Sequence, residues 1–154
     1  MSPVSKKADR QASLNLLDEC LDRIRRAQTS RRFKRENAER SQVHLPALSL
    51  SILAELHRHG PRRMKAVAER LDIDLPQVSR EVKELVESGH VTLSADAADG
   101  RARVVQLTAL GAKEWTAYRG AARTALADLL SDWDDKQIGD FARLFDQFLR
   151  APNG

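Results

Sequence analysis

Residues 74–108 have the sequence DLPQVSREVKELVESGHVTLSADAADGRARVVQLT, and this stretch decides the fold. In its first half, apolar residues recur every three or four positions, a spacing that predicts an amphipathic helix over residues 75–88. Asp74 is a favourable N-cap residue, and Gln77 three positions later completes a capping-box-like pair. Gly89 follows the helix and is expected to end it.

The second half of the same stretch predicts a β-hairpin. Apolar and polar residues alternate over residues 91–95 and again over residues 103–107, as they do in half-buried strands. The polar, glycine-containing loop 96–102 lies between the two runs. The hairpin therefore follows the helix directly.

Two more helices are predicted before this stretch, at residues 46–59, with Pro46 in the first turn, and at residues 64–71. A tight turn at residues 72–74 leads into the next helix. Three helices followed by a hairpin make a winged helix-turn-helix, which we place at residues 46–109. The apolar residues expected to face its interior are Leu48, Ile52, Leu53, Leu56, Val67, Ala68, Leu71, Val78, Val82, Leu85 and Val86.

Amphipathic helices flank this unit on both sides. Residues 9–27, 109–131 and 134–150 carry apolar stripes at helical spacing, and the region of Ser131 is the expected cap of the last helix. Residues 28–42 are almost wholly polar and form either an exposed continuation of the first helix or a linker. The expected fold class is therefore mainly α, with a small β component (α+β).

The stripes of the flanking helices exceed what a small winged unit can bury. We therefore expect residues 9–40 and 110–150 to form a symmetric interface between two copies of the chain. A monomer whose terminal helices pack on each other is the alternative. The whole chain, residues 1–154, is expected to be a single domain, because its length suits one ordinary domain.

Composition and charge indicate where the protein resides and what kind of partner it could bind. Cys20 is a lone cysteine, no apolar run follows the first lysines, and no stretch approaches the length of a membrane span, so we expect a soluble cytoplasmic protein without membrane contact. Residues 1–40 hold 11 Lys and Arg against 6 Asp and Glu, an excess that suits a polyanionic partner or an ordinary solvated helix surface.

The helix at 75–88 presents the side chains expected of a major-groove helix. Gln and Arg can form paired hydrogen bonds with base edges, Ser and Lys can hold phosphates, and a helix N-terminus favours phosphate. An ordinary polar helix face is the alternative for this helix taken alone. The predicted contact residues are Pro76, Gln77, Ser79, Arg80 and Lys83.

The loop of the hairpin favours a DNA-binding function. Arg101 and Arg103 lie at the end of a thin loop that has no room for a core, and arginine there can enter the narrow minor groove. Asp99 is close enough in sequence to pair with Arg101 and fix its position. A solvated turn is the alternative, but the preceding helix favours double-stranded DNA as the partner.

Several blocks of this sequence resemble the MarR family of bacterial transcriptional regulators. The blocks are LSLSILAEL (48–56), VAERL (67–71), VSREVKELVESGHV (78–91), DAADGR (96–101) and LTALG (107–111), in the order and spacing of the family. The wing block followed by Leu-Thr-x-x-Gly is the most specific part. The resemblance covers residues 46–111 closely, and the flanking helices suit the family's dimerisation region.

The resemblance implies a homodimer that binds a pseudo-palindromic duplex, acts as a repressor and responds to a small-molecule effector. It assigns Gln77, Ser79, Arg80 and Lys83 to the recognition helix and Asp99 and Arg101 to the wing. Gly100 departs from the basic residue common there, so one wing contact is in doubt. Arg63 replaces a capping Ser or Thr, which puts that cap in doubt and offers a phosphate contact.

Other chemistries have little support in the sequence. Some MarR-family proteins carry a reactive cysteine in the first helix, so redox sensing through Cys20 is an alternative, although no tyrosine lies nearby in sequence. His57 and His59 are poorly spaced for a metal, and no enzyme motif is present, so we expect no catalytic residue, metal or cofactor. A winged-helix module that binds another protein is the remaining alternative.

Overall fold

The computed structural model describes residues 3–29, 31–96 and 98–150. In chain order these residues form α1 (Pro3–Thr29), α2 (Arg31–Ser41), α3 (Ala47–His59), β1 (Arg62–Arg63), α4 (Met64–Leu71), α5 (Leu75–Glu87), β2 (Val91–Ala95), β3 (Arg103–Leu107), α6 (Ala109–Leu129) and α7 (Asp135–Arg150). The mainly helical winged fold is therefore confirmed. Residue 97 of the predicted loop and residue 30 of the polar segment lie outside the described residues.

The sheet has three antiparallel strands in the order β1-β3-β2, so β3 is central. The predicted hairpin is confirmed, with Val91 opposite Leu107 and Ala95 opposite Arg103. The sequence did not predict β1, which pairs Arg62 with Val105. A strand of two residues, both arginine, is too short to show the alternation from which strands are predicted.

The core of the winged unit, residues 47–107, lies where α3, α4 and α5 meet the sheet. Its fully buried side chains are Ile52, Leu53, Val67, Val78, Val82, Leu85, Val91 and Val105. The prediction for Val86 is wrong, because this residue is 37 % exposed. Val82 and Leu85 already fill the side of α5 that faces the core, so Val86 one position further along lies at its edge.

Several helix ends differ from the predictions. α1 begins at Pro3 rather than residue 9, and α6 ends at Leu129, two residues early. The polar segment continues as a helix, α2, rather than as a linker. Pro46 is the N-cap of α3 and precedes its first turn.

The cap of α7 is Asp134 and not the region of Ser131. The Asp134 carboxylate accepts a hydrogen bond from the Gln137 backbone N–H at 2.7 Å, and the Gln137 side chain accepts one from Asp134 N at 2.9 Å. This reciprocal pair is a capping box. At the other predicted cap, Asp74 accepts from the Gln77 backbone N–H at 2.8 Å, as expected. Gly89 takes φ +78° after α5, a conformation that glycine adopts without strain.

The terminal helices expose much of their apolar surface. α7 contains no buried residue, and Leu14 and Leu17 of α1 are about half exposed. α6 packs against α2 and α3, which connects it to the winged unit. Within the described part of the chain, no helix combines the length and apolar character needed to cross a membrane.

Candidate nucleic-acid interface

The outer face of α5 is polar and cationic. Pro76, in its first turn, and Gln77, Ser79, Arg80 and Lys83 are all exposed, as the sequence predicted. Glu81 points to the other side, where its carboxylate accepts a hydrogen bond from the buried Ser49 hydroxyl of α3. Glu87 lies in the last turn of the helix, and its carboxylate is 3.8 Å from Lys83 Nζ. The face is therefore free of acid until its last turn.

A groove of about 510 Å³ lies between α5 and the hairpin. Met64 and Leu93 contribute its apolar part, and Arg80 and Lys83 line its cationic side. The Arg80 guanidinium has no ion-pair partner among the residues that the structure describes, so it is available to an anionic ligand. An apolar floor beside two cations can accommodate the sugars and phosphates of a nucleic acid backbone.

The wing is organised around Asp96, a residue that the sequence did not single out. Its carboxylate accepts hydrogen bonds from the backbone N–H groups of Ala98 at 2.9 Å and Asp99 at 3.0 Å. The backbone closes the loop through bonds from Asp96 N to Ala102 O and from Ala102 N to Asp99 O. An aspartate that accepts from the next residues of its own loop is a common turn-forming device.

Arg63 holds the same carboxylate from outside the wing. Its Nε and one terminal nitrogen each lie 2.9 Å from a different oxygen of Asp96, a bidentate pair. The Arg63 hydrogen bonds, together with the Ala98 and Asp99 N–H groups, hold the pKa of the Asp96 carboxyl far below its usual range. The same contact raises the pKa of Arg63. Arg63 occupies the N-cap of α4 without a side-chain cap bond, so that cap is indeed missing.

The Asp99–Arg101 contact differs in kind from the prediction. The Asp99 carboxylate accepts from the backbone N–H of Arg101 at 3.1 Å, and no ion pair joins the two side chains in the described residues. Asp99 therefore shapes the turn but leaves the guanidinium free. Arg101 and Arg103 are both exposed, and Arg103 lies at the start of β3.

The remaining arginines beside the wing have structural partners. Buried Glu55 of α3 has one carboxylate oxygen 3.1 Å from Arg62 Nε and 3.0 Å from Arg70 Nε. These contacts are ion pairs without hydrogen-bond alignment, because neither N–H is directed at the oxygen. The single charge of Glu55 thus offsets one of the two positive charges of Arg62 and Arg70, and these contacts connect β1 and α4 to α3.

Cys20 lies on α1, outside the winged unit, as a half-buried free thiol. Two features were missed by the sequence predictions. Asp96 could have been identified as a turn former, because an Asp at the start of a glycine-containing loop often accepts hydrogen bonds from the backbone N–H groups two or three residues later. Its pairing with Arg63 joins residues 33 positions apart and has no local signal.

Known proteins share both the sequence pattern and the fold. A sequence model of the MarR family matches residues 45–102. The uncharacterized HTH-type transcriptional regulator YwoH of Bacillus subtilis is 28 % identical over 117 residues, which cover 76 % of this chain and 85 % of that protein.

Among solved structures, YusO of Bacillus subtilis has a TM-score of 0.66 at 20 % identity and covers 98 % of this chain and 99 % of its own. Apo MarR of E. coli has a TM-score of 0.65 at 20 % identity, covering 75 % of this chain and 86 % of its own. Structural likeness at this identity shows the fold, and the sequence match is to the winged part of the chain. The winged helix-turn-helix of this chain therefore matches the MarR family, whose members are transcription regulators and not enzymes.

Proposed function

We propose that this protein is a cytoplasmic transcriptional repressor that binds a pseudo-palindromic DNA duplex as a homodimer and responds to a small-molecule effector. One observation carries the proposal: the acid-poor face of α5 lies beside a wing whose Arg101 and Arg103 side chains are exposed. α5 is assigned to the major groove and the wing to the flanking minor groove.

The proposed contacts divide by chemistry. Gln77 and Arg80 are assigned to base edges, because both side chains can form paired hydrogen bonds. Ser79 and Lys83 are assigned to phosphates. Arg63 is half exposed, but its guanidinium group is hydrogen-bonded to Asp96. We therefore assign Arg63 to positioning the wing rather than to a phosphate contact.

The homodimer is supported by the apolar faces of the terminal helices. Phe141, Phe145 and Phe148 form a stacked row along α7, with ring centroids 5.7 and 6.3 Å apart. Trp133 meets the end of this row edge-on at 5.5 Å. These rings are between 38 and 55 % exposed, and contiguous apolar patches of this kind mark interaction surfaces. A second copy of the chain would cover them and would place two α5 helices about one DNA turn, roughly 34 Å, apart.

The effector proposal rests on a cleft of about 390 Å³ between α3 and α6. His57 and Trp115 both line it, and their rings are in a tilted contact with centroids 6.5 Å apart. Arg58, Arg119 and Arg123 also line it, and no described carboxylate lies within ion-pair distance of their guanidinium groups. Three cations beside an indole ring suit a small aromatic carboxylate, because guanidinium pairs with carboxylate and aromatic rings stack.

Selection of DNA fragments tests the proposal directly. Fragmented genomic DNA is incubated with the protein, and the retained fragments are sequenced. We expect an enriched motif with two inverted half-sites, and its absence would contradict the proposed function. Retention without any sequence preference would exclude a specific repressor. A protein-interaction module would retain no DNA at all.

The effector is tested on the selected duplex with benzoate as the first probe. We expect benzoate to release the duplex from wild-type protein and to have less effect on Arg119→Ala, because Arg119 lies 5.9 Å from the Trp115 ring centroid in the cleft. Equal release from both proteins would place the ligand elsewhere.

A further inference from the structure

A buried histidine joins the end of the recognition helix to α6. His90, between α5 and β2, is only 6 % exposed. Its Nε2 lies 2.9 Å from a carboxylate oxygen of Glu114 on α6, and its Nδ1 lies 2.8 Å from Ser88 Oγ at the C-cap of α5. An ionised carboxylate only accepts, so the Nε2 of His90 carries a hydrogen. The imidazole ring therefore bridges the two helices.

A second connection lies at the start of α6. The Thr108 hydroxyl caps α6 by accepting from Gly111 N at 3.1 Å, and it shares its one hydrogen between the carbonyl oxygens of Gly89 and His90, which lie 2.7 and 2.9 Å from Oγ1. The Thr108 backbone N–H also donates to His90 O at 3.0 Å. The N-terminus of α6 is thus fixed to the same loop that follows α5.

The two connections have different mechanical effects. With a rise of 1.5 Å per residue, Thr108 and Glu114 lie about 9 Å apart along α6. Thr108 fixes the start of α6, and His90–Glu114 is a second polar attachment that adds to the packing of α6 on α2 and α3 in setting the direction of the helix relative to the winged unit. A tilt of about 5° about Thr108 would move the far end of α6, roughly 30 Å away, by about 3 Å.

We infer that the His90–Glu114 hydrogen bond is a positioning contact that sets the spacing of the two DNA-binding units in the dimer. This inference rests on the proposed DNA-binding function. Because α6 leads to the apolar surfaces proposed for dimerisation, its direction determines where each winged unit lies relative to its partner. Glu114 contacts no DNA in this scheme and acts only through His90.

A contact that sets the spacing of the two DNA-binding units affects binding to a duplex with two half-sites but not binding to a single half-site. A duplex that carries the selected motif is compared with a duplex that carries one half-site, and with duplexes that have one base pair inserted or removed between the half-sites. For wild-type protein we expect a single preferred spacing, with about tenfold weaker binding when the spacing changes.

Glu114→Ala removes the acceptor for His90. We expect half-site binding to stay within about twofold of wild type, full-site binding to fall about tenfold, and the spacing penalty to shrink below about threefold. Glu114→Gln keeps an acceptor oxygen and should restore the spacing preference. Lys113→Ala, at an exposed neighbouring position of α6, is the matched control and should bind as wild type does.

Unchanged half-site binding also shows that the winged unit of the variant is folded. A Glu114→Ala protein that keeps the wild-type spacing preference would overturn the inference. Equal loss on half-site and full-site duplexes would also overturn it, since that result indicates a purely structural role. If wild-type protein selects no duplex, the proposed function itself is wrong and this inference falls with it.

Discussion

The guanidinium of Arg63 donates to both carboxylate oxygens of Asp96, at 2.9 Å each, across 33 residues of sequence. Arg63 belongs to β1 at the edge of the sheet, and Asp96 begins the wing loop. Because Asp96 also accepts from two backbone N–H groups of the loop, one carboxylate connects the wing to the body of the winged unit. The Arg63–Asp96 contact therefore determines the position of the loop that carries Arg101, although Arg101 takes no part in that contact.

The first prediction is that Asp96→Asn weakens DNA binding, by about threefold to tenfold, through loss of the ordered wing. Electrostatics alone predicts the opposite, because this change removes a negative charge beside DNA. Arg63→Ala should weaken binding to a similar extent. The double variant should be no weaker than either single variant, since both changes break the same contact. Fluorescence anisotropy with the selected duplex measures each affinity.

Glu87→Gln is the matched control for this charge effect. Glu87 lines the groove beside α5 and makes no contact with the wing in the described structure. Removing its charge should leave DNA binding unchanged or strengthen it. Tighter binding by Asp96→Asn as well would show that the carboxylate does not position the wing.

The second prediction concerns the ionisation of Asp96. An unperturbed Asp has a pKa of about 3.9, and the Arg63 and backbone hydrogen bonds hold that of Asp96 far lower. The contact thus contributes stability that is present above about pH 4 and is lost only as the pH falls through the depressed folded-state value. Carboxyl ¹³C shifts should show Asp96 still ionised at pH 4. In Arg63→Ala its midpoint should rise, and a wild-type midpoint near pH 4 would contradict the geometry.

The sequence predicted those parts of the fold that depend on neighbouring residues. The helix α5 and its Asp74 cap follow from periodicity and capping chemistry within a few positions. The same signal was present at Asp134 and Gln137, three residues apart, so the cap of α7 was predictable although the prediction named Ser131 instead. The cationic face of α5 also followed from helical spacing.

Contacts between distant residues were not predictable in this way. The sequence offered Arg63 as a phosphate contact, because no residue near it in sequence indicates Asp96 as its partner. Likewise, the arginines that line the cleft between α3 and α6 come from two helices, which only the packing brings together. Assigning such residues requires the tertiary structure, because local patterns do not specify which charges meet.

The third prediction distinguishes base recognition from phosphate binding on α5. Arg80→Ala should weaken binding by about 1–3 kcal/mol and relax the preference at one base position, if its guanidinium binds a base edge. Lys83→Ala should weaken all duplexes alike and reduce the slope of log K against log salt by about one. The comparison uses the selected duplex and single-base variants of it. Unchanged base preference in Arg80→Ala would reassign Arg80 to the backbone.

The fourth prediction tests the dimer. Phe145→Asp places a charge in the middle of the stacked row of α7 and should shift the protein towards monomer, because burying an unpaired carboxylate is costly. Gln147→Asp adds the same charge beside Arg143 and Arg150 on another side of α7 and should leave the dimer intact. Light scattering coupled to gel filtration gives the mass of each species. Dimers of equal stability in both variants would exclude the α7 row from the interface.

The fifth prediction concerns two glycines of α6 with different surroundings, Gly111 in the first turn and Gly120 in the middle of the helix. A Cβ on Gly111 would overlap the backbone oxygen of His90 and lie 2.9 Å from Leu107 Cδ1, whereas a Cβ on Gly120 would meet nothing within 4 Å. Alanine is favoured over glycine within a helix by about 1 kcal/mol, so Gly120→Ala should raise the free energy of unfolding by up to that amount.

In Gly111→Ala the steric overlap opposes this gain. The overlapping atom belongs to the backbone where Thr108 is bonded to His90, so it cannot move without breaking those hydrogen bonds. Overpacking of this kind costs about 1–3 kcal/mol, which exceeds the gain in helix propensity. Urea denaturation followed by circular dichroism should therefore show opposite signs for the two variants. Stabilisation by both substitutions would mean that the backbone at His90 moves at little cost to make room for the added Cβ, and that α6 is not held tightly there.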